Sequence, residues 1–250
     1  MKQPLGQTRT TVQGNHAFIA PDSHVLSGLP GWENTQGVIL ISPQMRSGPR
    51  FTQYLALMNA DSTSGAPLPG VQRFVYVMAG TLSADLNGQA MELSAGHFAY
   101  IPADTQHTFT SITETKLIVF EKIYTSSPLT TEKAQIVTGD AWAGEGEAFM
   151  GDEAARLRVL LPTQDSFDMA INLFSFQPGA ALPFVEVHVM EHGLYLLEGQ
   201  GIYRLDEAWY PIQAGDVLWM GSYCPQWFCA FGKTPSTYIY YKDVNRDSLI

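Results

Sequence analysis

The feature that most constrains this 250-residue sequence is an internal repeat. The run RFVYVMAG ends at Gly80 and the run HGLYLLEG ends at Gly199, an offset of 119 positions (199 − 80 = 119). The same offset relates three further pairs, Tyr76 and Tyr195, Gly96 and Gly215, and His107 and Gln226. Several pairs at one offset, each in matching strand and turn context, indicate a duplicated unit. We therefore predict two copies of one domain.

The duplicated unit has the sequence pattern of an all-β domain. From Gly37 onward, short apolar runs are separated by Gly, Pro, Asn and Asp, and long helical periodicity is absent. This pattern is typical of a β-sandwich or β-barrel. An irregular start and a polar, acidic segment without strand patterning divide the chain. We predict a lead-in or arm at 1–35, a first barrel at 36–124, a linker at 125–153 and a second barrel at 154–250.

Composition limits the partners and the compartment. The net charge of −10, with 14 Lys and Arg and no basic stripe, argues against a nucleic-acid partner. No apolar run approaches the length of a membrane span, and the first residues lack the apolar core of a signal peptide, so we expect a cytoplasmic protein. Cys224 and Cys229 lie in one apolar stretch, where a mutual disulfide is not expected. A charged fraction of 15% and five tryptophans favour a homo-oligomer.

Three candidate metal ligands lie at even spacing in the second half, namely Glu186, His188 and His192. Side chains two positions apart on a strand share a face, so all three would project together. One carboxylate with two imidazoles suits a divalent first-row cation, and the acid favours Mn or Fe(II). Gln226, the counterpart of His107, is the candidate fourth ligand.

The same segment also matches a helical zinc pattern. Residues 188–192 read HVMEH, which is the inverzincin pattern H-x-x-E-H and requires a helix. Pro178, Gly179, Gly193 and the β-branched residues between them favour a strand instead. On a strand Glu191 would point away from the metal and be an ordinary exposed carboxylate.

The C-terminal strand supplies candidate reactive groups. Tyr238 and Lys242 are four positions apart and would share a strand face. Lys242 is a candidate for acid–base work near a dication, with a surface charge as the alternative. Tyr240 and Tyr241 are interpreted as packing residues.

The first half lacks an equivalent ligand set. The positions 119 residues before the three candidate ligands hold Pro67, Pro69 and Arg73. His107 then stands alone, and an isolated histidine is more often packed or hydrogen-bonded than a ligand. We predict a metal-free first barrel.

Both halves resemble the cupin family of small β-barrels, which carry two short metal-binding motifs. Residues 96–107 read GHFAYIPADTQH, close to the second motif, and residues 215–226 read GDVLWMGSYCPQ with Gln in the ligand position. Residues 179–199 match the frame of the first motif with the ligand types permuted. The resemblance implies two tandem cupin jelly-roll barrels, a bicupin.

Four segments resemble a narrower family, (S)-ureidoglycine aminohydrolase, whose members are manganese-dependent bicupin enzymes of purine (allantoin) breakdown. They are residues 186–205, 209–220, 225–227 and 241–247. The resemblance implies that the Mn²⁺ ligands are Glu186, His188, His192 and Gln226. It also implies that Tyr238 and Lys242 contact or act on the substrate.

The implied reaction converts (S)-ureidoglycine and water to (S)-ureidoglycolate and ammonia. The substrate carries a carboxylate and an amino group on one carbon, which makes it a natural bidentate chelator. Glu186 and Lys242 would manage the protons, with acid and base not assigned between them. Two alternatives are another metal-dependent bicupin enzyme (an oxygenase or decarboxylase) and a non-catalytic bicupin that binds a small ligand. Oxygen consumption would distinguish the first, and bicupins of the second kind generally lack ligands in both barrels.

Overall fold

The computed structural model describes residues 6–46 and 48–246, and these residues form β-strands joined by turns. The strands of the first half are β1 (Thr11–Val12), β2 (His16–Ile19), β3 (Ser27–Gly28), β4 (Glu33–Ile41), β5 (Thr52–Thr63), β6 (Val71–Ala79), β7 (Thr81–Leu86), β8 (Gln89–Ser94), β9 (His97–Ile101), β10 (His107–Ser111) and β11 (Thr115–Ile123). A 3-10 helix, η1 (Pro21–Ser23), follows β2.

The second half repeats this order. Its strands are β12 (Val137–Asp140), β13 (Glu147–Phe149), β14 (Asp152–Val159), β15 (Met169–Phe176), β16 (His192–Glu198), β17 (Gln200–Leu205), β18 (Ala208–Gln213), β19 (Val217–Met220), β20 (Gln226–Ala230) and β21 (Ser236–Asp243). The predicted all-β fold class is confirmed. No helix within the described ranges is long and apolar enough to cross a membrane.

The repeat extends beyond the region in which the sequence reveals it. Strands β2 to β11 recur in order as β12 to β21, so the short strands near residues 16–41 have counterparts at 137–159. The turn glycines recur as well. Gly80 and Gly199 both have a positive φ, +86° and +78°, and a Cβ on either would lie within 2.5 Å of a neighbouring strand. Only glycine is compatible with both demands at these turns.

Each repeat lends its first strand to the other barrel. β2 pairs antiparallel with β19 of the second barrel, and β12 pairs antiparallel with β9 of the first. The expectation that 125–153 lacks strands is therefore wrong, because β12 and β13 lie there. Likewise β4 begins at Glu33, inside the segment that the sequence suggests is irregular. Through β2 and β12, these segments add strands to the opposite barrels as well as linking the two halves along the chain.

The sheets form around a core that the two barrels share. An eight-stranded sheet of the second barrel runs β1-β2-β19-β16-β21-β15-β14-β13, and a short sheet, β18-β17-β20, lies with it. The first barrel uses the ten-stranded sheet that contains β3 to β12. Between them Phe51 stacks on Tyr241 with ring centroids 4.1 Å apart, and Phe120 lies 6.2 Å from Tyr241. Aromatic rings at such distances contribute beyond the apolar area that they bury.

The two cysteines are not joined. Cys224 is buried and Cys229 is partly buried, and both are free thiols, as predicted. Cys224 belongs to the apolar cluster inside the second barrel, where a thiol packs as a small hydrophobic group.

Candidate active site

The segment that carries the predicted ligands is an irregular loop, not a continuous strand. Glu186 and Gln226 exchange backbone hydrogen bonds of 2.8 and 3.0 Å, and a second isolated bridge joins Ala181 to Cys229. Between the two bridges the loop advances five residues (186 − 181) and β20 advances three (229 − 226). The extra residues include Pro183, which has no N–H to give to a ladder. The prediction of one strand face is wrong here, because a bulge re-aims the side chains.

The two histidines come from different elements. His192 is the first residue of β16, and His188 lies in the preceding loop. The His188 carbonyl accepts a 2.7 Å hydrogen bond from the Tyr223 N–H, which fixes the loop against the turn before β20. Residues 188–192 contain no helical turn, so the inverzincin alternative is excluded.

The four predicted ligands nevertheless converge. His188 Nε2 lies 3.1 Å from His192 Nε2 and 3.0 Å from Gln226 Nε2. The Glu186 Oε2 atom lies 3.9 Å from His188 Nε2. The side chains thus meet at one point although 40 positions separate the first from the last (226 − 186).

This group fits a divalent cation. Ligands bound at about 2.1 Å to an octahedral ion stand about 3 Å apart along each edge, close to the separations around His188 Nε2. His188 Nδ1 donates to the Met190 carbonyl at 3.1 Å, which directs its Nε2 toward the other donors. The Gln226 amide here presents its nitrogen to the group and its oxygen to the Tyr203 hydroxyl. Binding an ion through the amide oxygen requires these two atoms to exchange places.

Of the four candidate ligands, the Glu186 carboxylate is the least closely grouped. Within the described ranges no three His, Cys, Asp or Glu side chains already have the spacing of a formed metal site. The compact trio is His188, His192 and Gln226, and Glu186 is about 1 Å beyond ligand spacing. A small side-chain rotation of Glu186 is what closure of the set around an ion requires.

The group lies in a cavity of about 260 Å³ inside the second barrel. Glu186 and His188 have side chains 23% and 25% exposed, and His192 and Gln226 are buried. The site therefore grades from a partly open mouth to a closed floor. Its apolar lining consists of Phe149, Leu157, Phe174, Leu182, Met190, Leu194 and Met220. Such a lining with few convergent polar groups is characteristic of a small-molecule site.

Strand β21 forms one wall of the cavity. Tyr238 and Lys242 both line it, as the shared strand face predicts. Lys242 stands directly opposite His192 in the β16–β21 pairing. Tyr240 also lines the cavity, and its ring centroid lies 5.5 Å from that of His192. The interpretation of Tyr240 as a packing residue is incomplete, because strict alternation puts it on the same face as Tyr238 and Lys242.

Burial controls the charge states in the cavity. Burial raises the pKa of Glu186, with His188 and Lys242 acting in the opposite direction. Burial lowers the pKa of His192 well below its ordinary value, and the charges of His188 and Lys242 lower it further. His192 is thus neutral at physiological pH, the form in which an imidazole binds a metal.

Comparison with known proteins identifies the family. A model described as a Cupin domain matches residues 62–121. The chain is 43% identical to the rice protein named "Probable (S)-ureidoglycine aminohydrolase" (Oryza sativa subsp. japonica), over 98% of this chain and 78% of that one. It is 41% identical to the (S)-ureidoglycine aminohydrolase of Arabidopsis thaliana, over 98% and 80%. The crystal structure of protein Ylba from E. coli superposes with a TM-score of 0.84 at 33% identity, covering 97% of each chain.

The chain belongs to the (S)-ureidoglycine aminohydrolase family. Identity over nearly the whole chain confirms the resemblance that the motifs suggest. The Cupin domain match covers the first barrel, whereas the gathered donors lie in the second. The ligand assignments themselves stay predictions, which the geometry above supports.

Sequence reasoning missed one polar residue of this family member's cavity. Tyr203 on β17 lines the cavity and its hydroxyl donates to Gln226 Oε1 at 3.3 Å. It is fully buried and its pKa is raised well above normal by burial, so it is a neutral hydrogen-bond donor. The alternating pattern of residues 200–205 places Tyr203 inward, but nothing in that pattern says that its neighbour is Gln226.

The prediction for Glu191 is partly wrong. Glu191 does not line the cavity, as its odd spacing implies. It is not exposed, however, because its side chain is only 3% accessible. Arg50 of the first barrel and the Trp219 indole both donate to its carboxylate. Burial raises its pKa, and the nearby Arg50 charge opposes that shift.

In the first barrel of this family member an arginine occupies the place of the gathered donors. Arg73, the counterpart of His192, is buried, and its Nη1 lies 3.0 Å from His107 Nε2. Arg73 also pairs with Glu121 at 2.6 Å and donates to the Gly65 carbonyl at 2.8 Å. His107 is thus packed and hydrogen-bonded, the environment predicted for it. A guanidinium here disfavours a second cation, which supports the prediction of a metal-free first barrel.

Proposed function

We propose that the protein hydrolyses (S)-ureidoglycine to (S)-ureidoglycolate and ammonia with the help of Mn²⁺, as a step of allantoin breakdown. The observation that carries the proposal is the meeting of Glu186, His188, His192 and Gln226 in one cavity whose wall holds Tyr238 and Lys242. Relatives named for this activity span nearly the whole chain, which supports it further.

The proposed reaction replaces an amine by a hydroxyl at one carbon. The C–N bond to the amino group breaks, a water oxygen forms the new C–O bond, and the departing nitrogen takes up a proton to leave as ammonia. A bound divalent ion supplies a fixed point for the substrate carboxylate and reacting heteroatom, which removes orientational freedom. A cavity of about 260 Å³ matches a substrate of this small size.

The chain's own residues supply orientation and proton transfer. Lys242 stands opposite His192 in the strand pairing, and its ammonium can pair with the substrate carboxylate or give a proton to the leaving amine. The Tyr238 hydroxyl lines the same wall and offers a hydrogen bond to the ureido group. Glu186, at the mouth, is positioned to exchange protons with entering water.

Mn²⁺ is proposed from the chemistry of the donors. A carboxylate oxygen, an amide oxygen and two imidazole nitrogens form a mixed oxygen and nitrogen set without sulfur, which suits Mn²⁺ or Fe²⁺ better than a structural Zn²⁺ site. A homo-oligomer and a cytoplasmic location stay predictions from the sequence.

The test combines metal analysis with a stereospecific assay. Purified protein is analysed for Mn, Fe and Zn, then given freshly made (S)-ureidoglycine, with ammonia and the two ureidoglycolate enantiomers measured in parallel. Because ureidoglycine decays spontaneously, enzymatic turnover is recognised by ammonia release above the blank together with one enantiomer in excess. An oxygen electrode in the same mixture tests the oxygenase alternative.

The expected result is Mn-dependent ammonia release, (S)-ureidoglycolate in excess and no oxygen uptake. Racemic product at the blank rate from metal-loaded protein would contradict the proposal. Retained metal without ammonia release would favour a ligand-binding bicupin instead.

A further inference from the structure

One arginine of the first barrel reaches into the second beside the candidate site. Arg50, two residues before β5, donates its backbone N–H to both carboxylate oxygens of Glu191 at 3.0 and 3.2 Å. Its Nε donates to the same carboxylate at 3.3 Å, and its Nη2 forms an ion pair with Asp243. The contact joins residues 141 positions apart, so it exists only in the folded protein.

The two acids flank two residues of the cavity. Glu191 immediately precedes His192, and Asp243 immediately follows Lys242. Asp243 Oδ1 accepts a 2.7 Å hydrogen bond from the Glu191 backbone N–H, which ties the adjoining strand ends together. His192 and Lys242 are themselves opposite each other in the β16–β21 register. The Arg50 contacts thus bracket the pair of side chains on the side away from the cavity.

The Glu191 and Asp243 carboxylates need a positive charge beside them, and Arg50 supplies it. The Glu191 and Asp243 side chains are 3% and 11% exposed. Two buried carboxylates that lie close together repel each other. Arg50 supplies the charge between them and the Trp219 indole donates a further 3.3 Å hydrogen bond to Glu191. Removing the arginine leaves two buried carboxylates without their cation, and the backbone at 191 and 243 must then move to rehydrate them.

We propose that Arg50 is a positioning residue for the second-barrel site. Through Glu191 and Asp243 it holds the backbone beside His192 and Lys242 in the geometry that binds the metal and substrate. The inference rests on the proposed function and gives the first barrel a part in the site of the second. Groups that orient metal ligands from behind typically alter metal affinity about 10- to 100-fold when they are removed.

The test compares Arg50→Met with a matched control, Arg9→Met. Arg9 also pairs with a buried carboxylate of the second barrel, Asp216, at 2.7 and 2.9 Å, but its hydrogen bonds go to neither residues 186–192 nor β21. Manganese affinity is measured by titration with the electron paramagnetic resonance signal of free Mn²⁺, and thermal melting reports folding. We expect Arg50→Met to bind Mn²⁺ about 10-fold or more weakly, and Arg9→Met to stay within about twofold of the wild type, since a bystander ion pair has little effect on a distant site.

Two further variants distinguish positioning from folding. Glu191→Gln keeps the shape of the side chain but weakens its bonds to Arg50, and should lower Mn²⁺ affinity with a smaller change in melting temperature. Arg50→Lys keeps the charge without the fork of donors, and should give an intermediate affinity. In the Arg50 variants we expect kcat to fall by a larger factor than KM rises, since Arg50 does not line the cavity.

The outcomes separate the inference from the proposed function. Wild-type affinity for Mn²⁺ in folded Arg50→Met, or equal losses in Arg50→Met and Arg9→Met, overturns the positioning role. If Arg50→Met does not fold, unchanged affinity in Glu191→Gln overturns it equally. Wild-type protein that binds Mn²⁺ but releases no ammonia contradicts the proposed function, while the affinity comparison still decides the role of Arg50.

Discussion

At the scale of single residues, burial decides what each polar group can do. Glu186 and Lys242 border the same cavity, yet one is a candidate ligand and the other a candidate substrate group. The His188 and His192 rings face each other with their Nε2 atoms 3.1 Å apart. His107, the first-barrel counterpart of Gln226, faces a guanidinium instead. A histidine thus faces other candidate metal ligands in the second barrel and a cation in the first.

Two variants should separate metal binding from catalysis. Glu186→Ala removes the one anionic donor and should lose both Mn²⁺ and turnover, whereas Lys242→Met should retain Mn²⁺ and lose turnover about 100-fold or more. Metal content by mass spectrometry and ammonia release measured on the same samples check this. A metal-replete, fully active Glu186→Ala would refute the ligand assignment.

His107 should contribute to the pH dependence of stability. Burial lowers its pKa, and the nearby Arg73 charge lowers it further, against the Thr105 carbonyl and Glu121, which raise it. The unfolded chain therefore binds a proton more readily, and the free energy of unfolding should fall as pH drops through about 6.5 toward the lower folded pKa. In His107→Gln this fall should be smaller, as measured by urea unfolding between pH 7.5 and 5.

The same variant tests the one-site prediction. His107→Gln, and equally His107→Ala, should leave Mn content and turnover near wild-type values. A large loss of metal would show that the first barrel also binds it. Parallel stability curves for wild type and variant would contradict the pH assignment.

At the scale of elements, close packing between barrels dictates local sequence. β16 carries Gly193 where Phe51 crosses from the first barrel, and a Cβ there would lie 2.3 Å from the Phe51 Cζ and 2.7 Å from the Gln53 Oε1. Gly193 has no positive φ, so the requirement is for space and not for backbone freedom. The element that begins with His192 therefore also packs closely against the other barrel.

Gly193→Ala should be strongly destabilising. Overpacking of a close-packed core costs about 1–3 kcal/mol, and the rigid Phe51 ring leaves little room for adjustment. Gly28→Ala in β3 is the control, because its new Cβ would meet nothing within 4 Å. Urea unfolding of both variants checks this, and equal stabilities would contradict the packing argument.

At the scale of the whole molecule, two polar clusters of inverted charge lock the barrels together. In one, the cation Arg50 reaches two acids of the second repeat. In the other, the acid Asp168 of the second repeat accepts from Gln72 at 2.5 Å and pairs with Lys122 of the first. Gln72 lies 119 positions before Glu191 (191 − 72), so the clusters use equivalent places of the repeat. Opposite polarity at equivalent places favours one pairing of the two unlike halves.

Lys122→Met should destabilise the whole protein. It leaves the fully buried Asp168 carboxylate without its cation, and breaking a buried pair costs about 3–5 kcal/mol. Lys133→Met at an exposed position should change stability by less than about 0.5 kcal/mol. Because strands are exchanged and the core is shared, both barrels should unfold in one transition. Two separate transitions in urea would contradict this.

The sequence alone determined the duplication and the all-β class, and it predicted the four candidate donors. Each of these depends on local spacing: turn glycines, alternation along strands and motif frames are written within short stretches of chain. The even spacing of Glu186, His188 and His192 led to the correct meeting point by an incorrect route, since a bulged loop and not a strand brings them together.

Only the tertiary structure decided the exchange of β2 and β12, the burial of Glu191 and the reach of Arg50 into the second barrel. The physical reason is that these depend on which distant surfaces pack against each other. Alternation predicts on which face of a strand a side chain lies. Whether that face is covered by water or by the other barrel is fixed by packing between segments more than a hundred positions apart.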